Sequence, residues 1–108
     1  MPHVPEIDVG ELQRRRVQGE PVSILDVREE WERDICRIDT AISLPLNELT
    51  ANVEKLPKDR PLVVLCHHGM RSLRAAAWLR ANGFDNAVNL AGGIDAWARQ
   101  IDRQMKVY

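Results

Sequence analysis

Leu62-Val63-Val64-Leu65 is apolar at four successive positions, with no polar alternation. A strand of that kind must be covered on both faces, as strands inside a parallel sheet are. It runs straight into Cys66-His67-His68-Gly69-Met70-Arg71-Ser72, and then into the Ala-rich stretch Leu73 to Ala81. That order predicts a strand, a tight loop and a helix ended by Gly83. The pattern repeats along the chain. Val22 to Leu25, Ala41 to Leu44 and Ala87 to Leu90 read as further strands, with Asp26 at the carboxyl end of the first and Pro45 stopping the second. Asp8 and Glu11 have capping-box spacing, so a helix is expected from Val9 to Gln18, ended by Gly19. Glu29 to Arg33 predicts a short helix, Asn47 to Glu54 a capped one, and Ile94 to Gln100 one that follows the Gly92-Gly93 turn. Met1 to Pro5 reads as a loose lead-in or a short edge strand. Strands alternating with helices predict an α/β fold, a parallel sheet with helices on both faces.

The chain has 108 residues, and one domain is expected over 1–108. Apolar residues make up 44% and charged residues 29%, an ordinary globular composition. The net charge of -1 offers no electrostatic reason to expect nucleic acid or an anionic membrane as partner. No apolar run approaches a membrane span, and the N-terminus lacks the apolar core of a secretion signal. Two cysteines, Cys36 and Cys66, without a C-x-x-C, suit a reducing cytoplasm and do not make a disulfide scaffold.

A cysteine where a strand turns into a helix sits where α/β sheets carry their reactive groups. Loop amides and the helix N-terminus are expected to face its sulfur and favour the thiolate, the nucleophilic form. Gly69 lets the backbone curl, and Arg71 offers a planar donor fork to an oxyanion such as a sulfonate or phosphate. The competing reading makes Cys66 a small buried hydrophobe that ends a core strand. His67 and His68 are adjacent in a tight loop and poorly placed to act as bases for Cys66; substrate contact and plain exposure both stand for them. Cys66, His67 and His68 lack the separated pairs of a zinc site, so no metal is expected. Asp26 and Arg28 fall on the same sheet edge and read as a cap and an ion pair beside the loop. Arg14-Arg15-Arg16 reads as a solvated helix face with Leu12 on the buried side, and Trp31, Trp78 and Trp97 as core or rim residues. His3 reads as an exposed residue of the lead-in.

Three segments together carry a resemblance: Leu25-Asp26-Val27-Arg28-Glu29, the loop from Cys66 to Ser72, and Gly92-Gly93-Ile94-Asp95-Ala96-Trp97. In order and spacing they resemble the single-domain members of the rhodanese (thiosulfate sulfurtransferase) superfamily, over nearly the whole chain. The resemblance implies a central parallel sheet of about five strands. It implies that Cys66 takes the outer sulfur of a donor such as thiosulfate, holds it as a persulfide and passes it to cyanide or a thiol, which a protein can carry. His67, His68, Gly69, Met70, Arg71 and Ser72 would then contact substrate, with Asp26 and Arg28 supporting them, and no cofactor would be needed. Phosphatase-type relatives use C-x5-R around a phosphate. Arg71 follows Cys66 after four residues, a tighter loop that fits a single sulfur atom. A non-turnover binding or sulfur-relay module, and less favourably a phosphatase or arsenate-reductase-like enzyme, are the alternatives. The chain departs from its relatives at Cys36-Arg37-Ile38-Asp39-Thr40-Ala41, where many have Gly-His-Ile-x-Gly-Ala. Cys36 there reads as an inert cysteine ahead of a resolving thiol.

Overall fold

The computed structural model describes residues 3–108. Five strands, β1 (Glu6–Ile7), β2 (Ser23–Asp26), β3 (Ile42–Ser43), β4 (Leu62–Leu65) and β5 (Ala87–Leu90), alternate with four helices, α1 (Val9–Val17), α2 (Glu30–Ile35), α3 (Met70–Ala81) and α4 (Gly93–Gln100). The strands form one sheet in the order β1-β5-β4-β2-β3, with every pairing parallel. The α/β architecture expected from the alternation is the one observed. Asp26 pairs with Leu65 across β2 and β4, so the residues that follow each strand emerge together at one edge. The part of the lead-in formed by Met1 and Pro2 lies outside the described residues; the edge strand falls just after it.

β4 shows why the central strand carries no polar alternation. Leu62 and Val64 pack on one face with Ala75, Ala76 and Leu79 of α3. Val63 and Leu65 pack on the other with Leu12 of α1 and Ile94 and Trp97 of α4. All four β4 residues are fully buried. Successive side chains point to opposite faces, so both faces demand apolar residues.

One expected helix is absent. Asn47 to Glu54 forms two short 3-10 turns, Leu46–Glu48 and Val53–Lys55. Leu49 and Leu56 are buried, but the exposed residues between them leave no continuous apolar stripe for an α-helix to bury. Among the described residues no non-glycine has a positive φ, so the chain passes 36–41 without the glycines of its relatives. Asp8 caps α1 as expected, accepting the Glu11 N–H at 2.8 Å. Arg14 and Arg15 bind Glu11, and Arg16 lies over Trp97, so the basic run is engaged by its own surroundings. No helix among the described residues is long and apolar enough to cross a membrane.

Candidate active site

Cys66 follows the last residue of β4. Gly69, at φ +106, turns the chain so that α3 starts at Met70. This bend brings the Gly69 N–H to 3.1 Å from the Cys66 Sγ and the Ser72 Oγ to 3.3 Å. Ser72 is fully buried, and its hydroxyl donates to Asn89 Oδ1 at 2.6 Å. Asn89 Nδ2 in turn donates to Glu6 Oε2 and to the Gly69 carbonyl. The one hydroxyl proton of Ser72 therefore has two acceptors, the sulfur and Asn89, and β5 holds one end of the chain. Of the loop amides expected to converge on the sulfur, Gly69 supplies the N–H at bonding distance among the described residues.

The sulfur does not lie at an open mouth. Cys66 is 1% exposed and belongs to the core cluster that includes Val64 and Ala75. Its side chain packs on the α3 face of the sheet, and the start of α4 holds the loop's backbone from the other side. Ile94 N–H donates to the Cys66 carbonyl at 2.9 Å and Asp95 N–H to the His67 carbonyl at 3.0 Å. The cysteine thus combines the burial of a core residue with two polar groups aimed at its sulfur.

Arg71 is also placed differently from the expectation of a free fork. Its Nη1 and Nη2 donate to the two carboxylate oxygens of Glu32 at 2.7 and 2.6 Å. Glu32, in α2, has a side chain only 3% exposed, and it also accepts the Tyr108 hydroxyl at 2.6 Å. Burial alone would push its carboxyl up. Arg71, Tyr108 and the Glu29 backbone outweigh that and hold it down at about 2. Burial and the Glu32 carboxylate together push the Tyr108 hydroxyl up to about 12. Arg28, fully buried, donates to Asp26 at 2.8 to 3.2 Å, to the Cys36 carbonyl at 2.7 Å and to the Tyr108 hydroxyl at 3.1 Å. Asp26 and Arg28 therefore form the ion pair expected, fully buried, and Tyr108 links it to Glu32; the cap of α2 is Glu29 rather than Asp26, which accepts the Arg28 N–H in the turn before the helix. Sequence reasoning missed Glu32, Asn89 and Tyr108. Their tertiary partners lie 17 to 83 positions away, and the one local signal is the capping-box spacing of Glu29 and Glu32.

His67 and His68 fare differently. The His67 ring is sandwiched between His68 at 3.9 Å and Tyr108 at 3.8 Å, and its buried Nε2 has no hydrogen-bond partner. Burial, then the neighbouring His68, lowers its pKa, so it is neutral at neutral pH. The His68 side chain is 62% exposed and reaches to within 3.9 Å of Asp95. His67, His68 and Asp95 offer donor atoms within 4.8 Å of one another, a grouping the sequence did not suggest. Stacked imidazoles hold their lone pairs in neighbouring planes, and Arg99 already occupies the Asp95 carboxylate. Met70 is exposed on the loop, and Trp31 is exposed and meets Tyr108 edge-on. Cys36 is buried, and that burial pushes its thiol up despite Arg28 beside it.

Residues 8–100 match the family described as Rhodanese-like domain. The chain belongs to the rhodanese-like domain family. It is 38% identical over 96 residues to a sulfurtransferase of Allochromatium vinosum, covering 89% of this chain and 90% of that protein. It is 38% identical over 80 residues to the thiosulfate sulfurtransferase GlpE of Shewanella oneidensis, covering 74% of this chain and 79% of that one. Against the longer probable adenylyltransferase/sulfurtransferase MoeZ of Mycobacterium tuberculosis it is 40% identical, but spans only 24% of that protein. The crystal structure of a rhodanese-like domain protein from Staphylococcus aureus superposes with a TM-score of 0.84 at 30% identity, covering 97% of this chain and 99% of that one. The family expected from the three sequence segments is the family found.

Proposed function

We propose that this rhodanese-like domain is a sulfurtransferase in which Cys66 carries the sulfur. The observation that carries the reading is the pair of polar groups on Sγ, Gly69 N–H and Ser72 Oγ, inside an otherwise apolar setting. A cysteine that only fills space needs no donor at its sulfur, whereas an anionic sulfur accepts from the Gly69 N–H, and from the Ser72 hydroxyl when its one proton turns from Asn89 to the sulfur. Relatives with sulfurtransferase names support the same chemistry.

In the first step the Cys66 thiolate attacks the outer sulfur of a sulfane donor. A new S–S bond forms at Sγ, the donor's own bond to that sulfur breaks, and the leaving group keeps the electron pair; from thiosulfate it is sulfite. In the second step a thiol or cyanide attacks the terminal sulfur of the persulfide. That S–S bond breaks and the pair returns to Cys66, so there is no net redox change and no cofactor is called for. With Cys66 1% exposed, attack requires the loop side chains to move aside, and between transfers the same cover keeps water from the persulfide. Dephosphorylation is disfavoured by the four-residue spacing and because Glu32 already fills the Arg71 fork. A cytoplasmic setting suits the two unpaired thiols.

Intact-mass measurement after incubation with thiosulfate, in the wild type and in Cys66→Ser, tests the reading. The expected result is a gain of one sulfur atom in the wild type, reversed by cyanide and absent from the variant. A gain of sulfur in Cys66→Ser, or hydrolysis of an aryl phosphate without sulfur transfer, would overturn it.

A further inference from the structure

We propose that Glu32 is a specificity-determining positioning residue, which keeps Arg71 from gripping oxyanionic sulfur donors. The inference rests on the sulfurtransferase reading. Arg71 is the one permanently charged side chain within the Cys66–Ser72 loop, and its fork is closed on both oxygens of Glu32. The carboxylate is itself held, by the Tyr108 hydroxyl and by the Glu29 N–H at 3.2 Å. The second guanidinium near the loop, Arg28, is fully buried and closed on Asp26. His67 is neutral and lies between two rings, while exposed His68 faces the Asp95 carboxylate. Within the loop itself a sulfonate therefore meets no unpaired permanent cation. A donor whose reactive sulfur sits on an uncharged body loses nothing by that. The surroundings suit such a body: Met70 is 67% exposed on the loop and Trp31 57% exposed beside Tyr108. Glu32 therefore biases the site toward persulfides on uncharged or apolar bodies and away from small dianions such as thiosulfate.

Glu32→Gln releases the fork with little loss of shape. A glutamine retains an oxygen for the Tyr108 hydroxyl, and the Arg71 side chain, 38% exposed, is solvated when it loses its counter-charge. The assay is Cys66 loading by thiosulfate and by 2-hydroxyethyl hydropersulfide, whose thiol leaves as the terminal sulfur passes to Cys66. Thiosulfate kcat/KM should rise about tenfold through KM, the worth of one charge-assisted contact, while the uncharged-tail donor stays within about twofold. The pH profile of iodoacetamide alkylation at Cys66 should move to lower pH, as an uncompensated guanidinium favours the anion. Neither change should occur when Glu32→Gln is made in an Arg71→Gln background. Equal changes for both donors, an unmoved pH profile, or the full effect in the double variant would overturn the proposal. Loading by neither donor in either protein would instead remove the sulfurtransferase reading on which it rests.

Discussion

Replacing Gly93 by Ala should unseat Cys66 from 27 positions away in sequence. A Cβ on Gly93 would lie 2.5 Å from the Cys66 and His67 carbonyl oxygens and 2.7 Å from the His67 carbonyl carbon. These are backbone atoms of the cysteine loop, and no flexible side chain can yield for them. Ordinary contact requires a separation of about 1 to 1.5 Å more, so the α4 N-terminus and the loop must part. That lengthens the Ile94 and Asp95 N–H bonds, now 2.9 and 3.0 Å, at about 1 kcal/mol each. The left-handed φ of +59° adds about 1 kcal/mol, and the residual overlap about 1–3 kcal/mol. The expected loss, about 4–6 kcal/mol, is a large share of a small domain's stability. A displacement of this size at a reacting sulfur slows transfer by about a hundredfold. Urea titration and the rate of Cys66 loading measure the two effects. Gly19→Ala is the control: its φ is +71°, yet nothing lies within 4 Å of the added carbon, so it should lose only the backbone share. A Gly93→Ala variant as stable as Gly19→Ala and as fast as wild type would refute the claim that α4 seats the cysteine loop.

Two further outcomes follow from the buried charges. Asp26→Asn leaves the fully buried Arg28 guanidinium without its counter-charge, and should cost about 3–5 kcal/mol in urea titration while folded protein still loads sulfur. Selective loss of loading in a fully stable variant would contradict the supporting role of Asp26. Glu32, held at about 2 against an ordinary 4.5, stabilises the fold fully above pH 4.5 and loses that contribution as pH falls toward 2. The loss is about 3 kcal/mol over that window, so urea midpoints measured from pH 6 to pH 3 should fall less steeply in Glu32→Gln than in wild type.

The parallel α/β architecture was legible because each central element repeats one short-range rule. Leu62 to Leu65 is apolar throughout, Asp8 caps α1, and glycine follows α3. The segment after Asn47 misled, since a good cap does not make a helix that has no apolar face to bury. In the site, Cys66, Gly69 and Ser72 were legible as a strand-loop-helix junction. Exposed Trp31 fits the rim reading, and buried Trp97 the core one.

The amino-acid order by itself determined where strands turn into helices, and so which cysteine stands at the carboxyl edge of the sheet. Periodicity, capping and turn chemistry act over a few residues and can be read without coordinates. Tertiary structure alone decided that the thiol is buried, that α4 is bonded to the loop's carbonyls, and that Arg71 is spent on Glu32 with Tyr108 bracing the pair. Those contacts join residues 28 to 76 positions apart. Charge pairing and burial depend on distance in space, which no local pattern records.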